Sequence, residues 1–91
     1  MSTKKHYANK TDIRQQTKLF ADAVRSLSIL GIEIMTVDFR HEQPLIEVFH
    51  CPGTERIPQE MRGRGYNDQG RYIRKVAQLK GCEIIWNEMQ G

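Results

Sequence analysis

The sequence predicts an α+β domain with the element order α-β-β-α-β. Its three strands are expected to form a mainly antiparallel sheet in the order 2-1-3, with two helices packed on one face. Three observations predict this fold. Apolar residues recur at helical spacing before residue 31, β-branched and aromatic runs follow at 32–51 and 82–87, and a second apolar spacing of three lies between those runs. The 91 residues bound the chain to one domain.

The first helix is predicted to begin at Thr11 or Asp12 and to end at Leu30. Asp12 followed by Gln15 fits a capping box. Gly31 is expected to end the helix in the left-handed conformation. One apolar stripe contains Ile13, Thr17, Phe20, Val24, Leu27 and Leu30.

Residues 1–10 are polar and charged, and their apolar residues show no periodicity. This pattern predicts a disordered basic N-terminal arm. The folded domain is therefore expected to span residues 11–91.

Two strands are predicted to follow the first helix as a hairpin. Ile32–Arg40 carries apolar residues on both faces, which predicts the central strand of the sheet. Pro44 lies in the loop, and Leu45–Cys51 is the return strand. Placing the third strand beside the first gives the order 2-1-3. The order 1-2-3, with one parallel pair, stays open.

The second helix is predicted over Asp68–Lys80. Ile73, Val76 and Leu79 are spaced three apart, so a helix would place them on one face. Asn67 or Asp68 caps this helix, Gly81 ends it, and Cys82–Asn87 forms the third strand. The preceding residues 52–65 hold two prolines and three glycines, which predicts a long loop.

Charge is distributed unevenly along the chain. The net charge is +3 and the isoelectric point is about 9.1. Residues 1–25 and 56–80 are basic, whereas residues 26–55 and 81–91 are acidic. The predicted fold would therefore have a basic helical side and an acidic sheet side. Such a surface suits nucleic acid, and equally a protein with an acidic patch.

The basic segment predicts a nucleic-acid surface made of the loop Arg56–Gly65 and the helix Asp68–Lys80. Glycines let backbone N–H groups approach phosphates, and arginine side chains neutralise the phosphate charge. Tyrosines stack on unpaired bases, which slightly favours single strands over duplexes. The alternative for the same segment is a solvated, arginine-rich surface. The candidate residues are Arg62, Arg64, Tyr66, Arg71, Arg74 and Lys75.

The sequence indicates no catalytic, cofactor or metal site. The glycine spacing before residue 70 does not match a phosphate-binding loop. The metal-ligating side chains His41, His50, Cys51 and Cys82 lack the paired spacing of zinc sites. His50 and Cys51 are adjacent, so a strand would point them to opposite faces, which disfavours a nucleophile–base pair. A non-enzyme without cofactor or metal is therefore expected.

Two cysteines and a polar N-terminus predict reduced thiols in a cytoplasmic protein. No apolar run approaches the ~18 residues that a membrane span needs, so no membrane partner is expected. The sequence leaves the oligomeric state open, and a homodimer through a sheet edge is one arrangement that it allows.

The short, basic, cysteine-poor chain, with its ending around Arg71–Lys80 and Cys82–Trp86, resembles small accessory proteins of temperate phages and prophages of enteric bacteria. The resemblance implies a cytoplasmic non-enzyme that acts on host or phage nucleic-acid machinery. The leading hypothesis is a nucleic-acid-binding accessory protein whose partner is DNA or RNA. The alternative is a small regulator or inhibitor that binds a protein of such a machine.

Overall fold

The computed structural model describes the backbone of residues 2–39 and 43–90, and the side chains of residues 14–39 and 43–90. One long helix, one 3₁₀ helix and five strands make up this part of the chain. They are α1 (Ser2–Ile29), β1 (Ile34–Phe39), β2 (Pro44–Val48), the 3₁₀ helix (Pro52–Arg56), β3 (Glu60–Asn67), β4 (Gly70–Leu79) and β5 (Cys82–Met89).

The five strands form a single mixed sheet in the order β1-β2-β5-β4-β3. β2 and β5 run parallel, and the other neighbouring pairs are antiparallel. The predicted three-stranded sheet in the order 2-1-3 with two helices on one face is therefore wrong. β1, predicted to be central, is an outer strand. The alternative order 1-2-3 with a parallel pair describes the β1-β2-β5 part of the sheet.

The predicted second helix Asp68–Lys80 is wrong, because this segment forms β4 between two β-turns. Asn67 Oδ1 accepts a hydrogen bond from the backbone N–H of Gln69 at 2.8 Å. This Asx turn, with Gly70 at φ 117°, joins β3 to β4 instead of capping a helix. At the other end, Lys80 and Gly81 have φ values of 52° and 81° and form the two-residue turn into β5.

The predicted loop Arg56–Gly65 is also largely ordered into regular structure. Its first residue ends the 3₁₀ helix, and β3 begins at Glu60. The basic surface predicted as a loop and a helix is therefore a β-hairpin.

The C-terminal end of α1 confirms the left-handed cap predicted at Gly31, which has a φ of 73°. The Gly31 N–H donates to the Ser28 carbonyl at 3.0 Å, and the Ile32 N–H donates to the Leu27 carbonyl at 2.9 Å. These two bonds form a Schellman motif, which satisfies carbonyl groups that the helix end leaves unpaired.

The N-terminal part of α1 differs from the prediction, since the helix begins at Ser2 and not at Thr11 or Asp12. The side chains of residues 1–13 lie outside the described part, so the disordered arm at 1–10 stays a prediction. Among the described residues, no helix is long and apolar enough to cross a membrane.

The core lies between α1 and one face of the sheet. Its buried members include Ala23, Leu27, Ile46, Val48, Ile57, Cys82, Ile84 and Trp86. The 3₁₀ helix adds cover at Gly53, where a Cβ atom would collide with the Leu30 carbonyl oxygen. We call the face that carries Ile84 and Trp86 the helix face. The opposite, open face carries Val76 and Ile85, because side chains alternate along a strand.

Candidate nucleic-acid interface

The six candidate residues all lie on the β3–β4 hairpin. They are Arg62, Arg64 and Tyr66 on β3, and Arg71, Arg74 and Lys75 on β4. Tyr66 lies opposite Arg71, and Arg64 lies opposite Ile73. Residues directly opposite in an antiparallel pair share a face, and Arg71 and Ile73 share a face because they are two apart. The hairpin therefore brings Arg64, Tyr66 and Arg71 together.

The shared face is the helix face. Lys75, four residues from Arg71 on β4, lies opposite the buried Trp86 on β5. Arg64, Tyr66 and Arg71 are exposed at the outer end of this face, next to the β3–β4 turn. We call these three residues the hairpin triad.

Arg62 and Arg74 point to the open face. Arg62 lies at a register shift between β3 and β4, and Arg74 lies opposite Asn87 on β5. Arg62 Nη2 is 2.8 Å from Glu83 Oε2, and Arg74 Nη2 is 3.8 Å from Glu47 Oε2. The six candidates therefore do not form one surface, and both open-face arginines already have a carboxylate partner.

Lys75 is engaged as well, although it lies on the helix face. Its Nζ donates to Gln59 Oε1 at 3.0 Å and lies 3.5 Å from Glu88 Oε2. Three of the five predicted cations, Lys75 among them, thus pair with a carboxylate of the same chain.

Arg64 and Arg71 differ from these three cations. No carboxylate of the described residues lies within salt-bridge distance of either guanidinium. Both arginines line a shallow cleft of about 420 Å³ together with Ile73 and Gln90. The Gln90 N–H donates to the Arg71 carbonyl at 2.9 Å, which ties the end of β5 to the hairpin. The cleft therefore presents two cations that no carboxylate in the described part of the chain neutralises.

The tyrosines of the hairpin have different environments. Tyr66 is 77% exposed. Tyr72 is half-buried and lies opposite Gly65, where a Cβ atom would collide with the tyrosine ring. Gly65 thus leaves room for the Tyr72 ring across the strand pair and does not loosen a loop. Of these two tyrosines, Tyr66 is the one whose ring is accessible for stacking.

Sequence reasoning missed a second polar cluster, which consists of His50, Glu55 and Glu88 on the helix face. His50 Nε2 lies 2.7 Å from Glu55 Oε2 and 3.7 Å from Glu88 Oε2. The Trp86 indole N–H donates to Glu88 Oε2 at 3.1 Å. Burial raises the pKa of Glu88, but the Trp86 hydrogen bond and the nearby Lys75 and His50 outweigh it and leave that pKa below its ordinary value.

Neither cysteine hydrogen-bonds to His50, the histidine whose side chain the structure describes. Cys82 is fully buried in the core, and burial, with a smaller effect of Asp22, raises the pKa of its thiol. The Cys51 Sγ lies 3.8 Å from the Gly31 carbonyl oxygen and is partly buried.

The chain was compared with protein-family models, with curated proteins and with solved structures, and none of the three comparisons finds a match. The function is therefore inferred from the geometry of the chain itself.

Proposed function

We propose that the protein binds nucleic acid through the hairpin triad Arg64, Tyr66 and Arg71. The proposal rests on one observation: two arginines without a carboxylate partner among the described residues share a face with Tyr66, which is 77% exposed. Arginine is a principal donor to phosphate oxygens, and an exposed aromatic ring stacks on bases of any sequence.

The remaining candidates are expected to contribute little to this binding. Arg62, Arg74 and Lys75 would have to leave Glu83, Glu47 and Glu88 to reach a phosphate. Those carboxylates also oppose the approach of an anion. The proposed interface is therefore smaller than the full arginine-rich segment.

Single-stranded nucleic acid is the preferred partner. Bases in a duplex are stacked on one another, so a single exposed tyrosine gains access to them only where they are unpaired. Arg64 and Arg71 would hold the backbone beside the ring. Sequence preference is expected to be weak, because phosphate contacts and stacking do not distinguish the bases.

Fluorescence anisotropy with random single-stranded DNA, duplex DNA and RNA tests the proposal. Each is measured over a salt series with wild type, Arg64→Ala/Arg71→Ala and the control Arg62→Ala/Arg74→Ala, which removes the same charge from the open face. We expect binding that weakens steeply with salt, a log–log slope about two units shallower in the first variant, and a control close to wild type. No binding at low salt, or equal loss in both variants, contradicts the proposal.

A second candidate function is supported by the outer strand β1. Met35, Val37 and Phe39 are 45%, 36% and 54% exposed on this strand, whose outer edge is unpaired within the described part of the sheet. Exposed apolar edge strands bind proteins by strand addition. This surface suits a regulator or inhibitor that binds a protein of a nucleic-acid-processing complex.

The substitution Val37→Lys separates the two candidates. A purified partner that binds wild type and not Val37→Lys supports strand addition at β1. Nucleic-acid binding with a steep salt dependence that Val37→Lys leaves unchanged favours the hairpin triad as the functional surface.

A further inference from the structure

The cluster of His50, Glu55 and Glu88 shares no residue with the hairpin triad and combines an imidazole with two carboxylates. Glu88 lies on the same face as the triad, opposite Ile73. One nitrogen or oxygen atom from each residue lies within 4.8 Å of those from the other two. The three side chains come from three segments: His50 follows β2, Glu55 belongs to the 3₁₀ helix, and Glu88 belongs to β5. The fold thus brings together three ligand types that bind divalent metals.

Glu55 is held in place by a well-connected backbone. The Thr54 hydroxyl, fully buried, donates to the Cys51 carbonyl at 2.6 Å, and the Gln59 amide donates to the Thr54 carbonyl at 2.9 Å. Gly53 lies against the end of α1 at Leu30. These contacts fix the 3₁₀ helix on the core, so the backbone from which the Glu55 side chain extends is set before any ion binds.

Glu88 is oriented by two further partners. The Trp86 indole N–H and the Lys75 ammonium both approach Glu88 Oε2, at 3.1 Å and 3.5 Å. Carboxylates that ligate metals are commonly oriented by hydrogen bonds of this kind. With neutral His50, Lys75 offsets one of the two carboxylate charges, so the cluster retains a net attraction for a cation.

We propose that His50, Glu55 and Glu88 bind one divalent transition-metal ion of the zinc class, with water in the remaining coordination position. A mixed nitrogen and oxygen set favours Zn²⁺ over Mg²⁺ or Ca²⁺, which prefer oxygen ligands alone. The ion would replace the direct His50–Glu55 contact of 2.7 Å. The His50 and Glu55 side chains, 38% and 56% exposed, leave the ion a path from solvent.

Isothermal titration of the untagged, chelator-treated protein with Zn²⁺ tests the site. We expect one equivalent to bind wild type, and His50→Gln and Glu55→Gln each to weaken binding by about tenfold or more. Glu60→Gln removes an exposed carboxylate outside the cluster, and Cys51→Ser removes the thiol next to His50. Both controls are expected to bind zinc as wild type does, as is His6→Gln/His41→Gln, which removes the other two histidines.

Thermal unfolding with and without saturating Zn²⁺ provides the second readout. At the same Zn²⁺ concentration, the midpoint is expected to rise in wild type and Cys51→Ser and to rise less in His50→Gln, because a ligand stabilises the folded state according to its affinity for it. Zinc binding with wild-type affinity in His50→Gln and Glu55→Gln, or loss of binding in Cys51→Ser, overturns the proposal. Absence of binding to wild type overturns it as well.

Discussion

The packed end of the sheet and the outer β3–β4 hairpin are built from strands with very different support. Under α1, the side chains of Leu27, Ile46 and Trp86 have no exposed surface. Along β3, residues are exposed or half-buried, and β3 is the edge strand at the opposite side of the sheet from β1. Folding free energy is therefore concentrated at the packed end, while the hairpin contributes charges and an exposed ring.

Within the hairpin, the two faces also differ. The open-face arginines Arg62 and Arg74 face carboxylates, whereas Arg64 and Arg71 on the helix face have no carboxylate partner among the described residues. Strand alternation thus divides the four arginines into a paired set and an unpaired set, while Lys75 on the helix face pairs with Glu88. Substitutions in both regions and on both faces test these differences.

Trp86→Ala is expected to lower the free energy of unfolding by about 3–5 kcal/mol. The substitution removes the largest fully buried side chain of the described residues and leaves a cavity in the core. Tyr66→Ala, which removes an exposed aromatic of the hairpin, is expected to change the free energy of unfolding by less than about 0.5 kcal/mol. Urea unfolding followed by far-UV circular dichroism measures both, since Trp86 is the single tryptophan and its loss removes the fluorescence probe. Similar losses for the two variants would contradict the contrast between the regions.

Gly53→Ala is expected to lower the free energy of unfolding by about 1–3 kcal/mol. The added Cβ would collide with the Leu30 backbone oxygen and force the 3₁₀ helix away from α1. Gly63→Ala on β3 is the matched control, since a Cβ there meets no atom of the described residues within 4 Å. Its effect should stay within about 0.5 kcal/mol. Thermal unfolding of the two variants measures the difference, and a Gly63→Ala loss as large as that of Gly53→Ala would argue against it.

Glu88 is expected to make stability depend on pH. Its folded pKa lies below the ordinary value of 4.5, so its ionised form stabilises the fold above that value. At neutral pH, the free energy of unfolding of wild type should exceed that of Glu88→Gln by about 1 kcal/mol. This difference should disappear as the pH falls through the folded pKa of Glu88. Urea unfolding between pH 3 and pH 7 measures the difference, and one that stays constant with pH would refute this origin.

The Arg62–Glu83 pair is expected to show a coupling free energy of about 0.2–1 kcal/mol in a double-mutant cycle, because Arg62 is 55% exposed. Added salt should reduce this coupling. The cycle Arg64→Ala with Glu83→Ala pairs residues on opposite faces and should show none. Equal coupling in both cycles would mean that the faces are not separated as described.

Local signals in the sequence predicted part of the fold. Gly31 marked the end of α1, and the β-branched run from Cys82 marked β5, which extends to Met89. Both signals depend on residues next to one another in the chain. The sheet order does not depend on neighbouring residues in this way. β1 carries exposed Val37 and Phe39, and an apolar pattern in the sequence does not distinguish a central strand from an edge strand with exposed apolar residues.

The β4 segment shows why the hairpin was mistaken for a helix. Ile73, Val76 and Leu79 are three apart, yet in the strand Val76 lies on the open face and the other two lie on the helix face. Both faces of β4 are partly buried, so the alternation that identifies a strand is weak. Lys80 at positive φ is also an uncommon first residue for a two-residue turn.

The candidate site was predicted in part for a related reason. The composition of the segment selected all six residues, but partners as distant in sequence as Glu47 and Glu83 divide them by face. The cluster of His50, Glu55 and Glu88 was missed because Glu88 joins it only through the parallel placement of β2 beside β5. Contacts between distant segments leave no periodic signal in one sequence.

We propose that one face of the hairpin binds nucleic acid and the other does not. NMR signals of the arginine Nε–H groups, followed during titration with a short single-stranded RNA and assigned by single substitutions, test it most directly. We expect shifts for Arg64 and Arg71 and unchanged signals for Arg62 and Arg74. Shifts confined to Arg62 and Arg74, equal shifts for all four, or no shifts at low salt would contradict it.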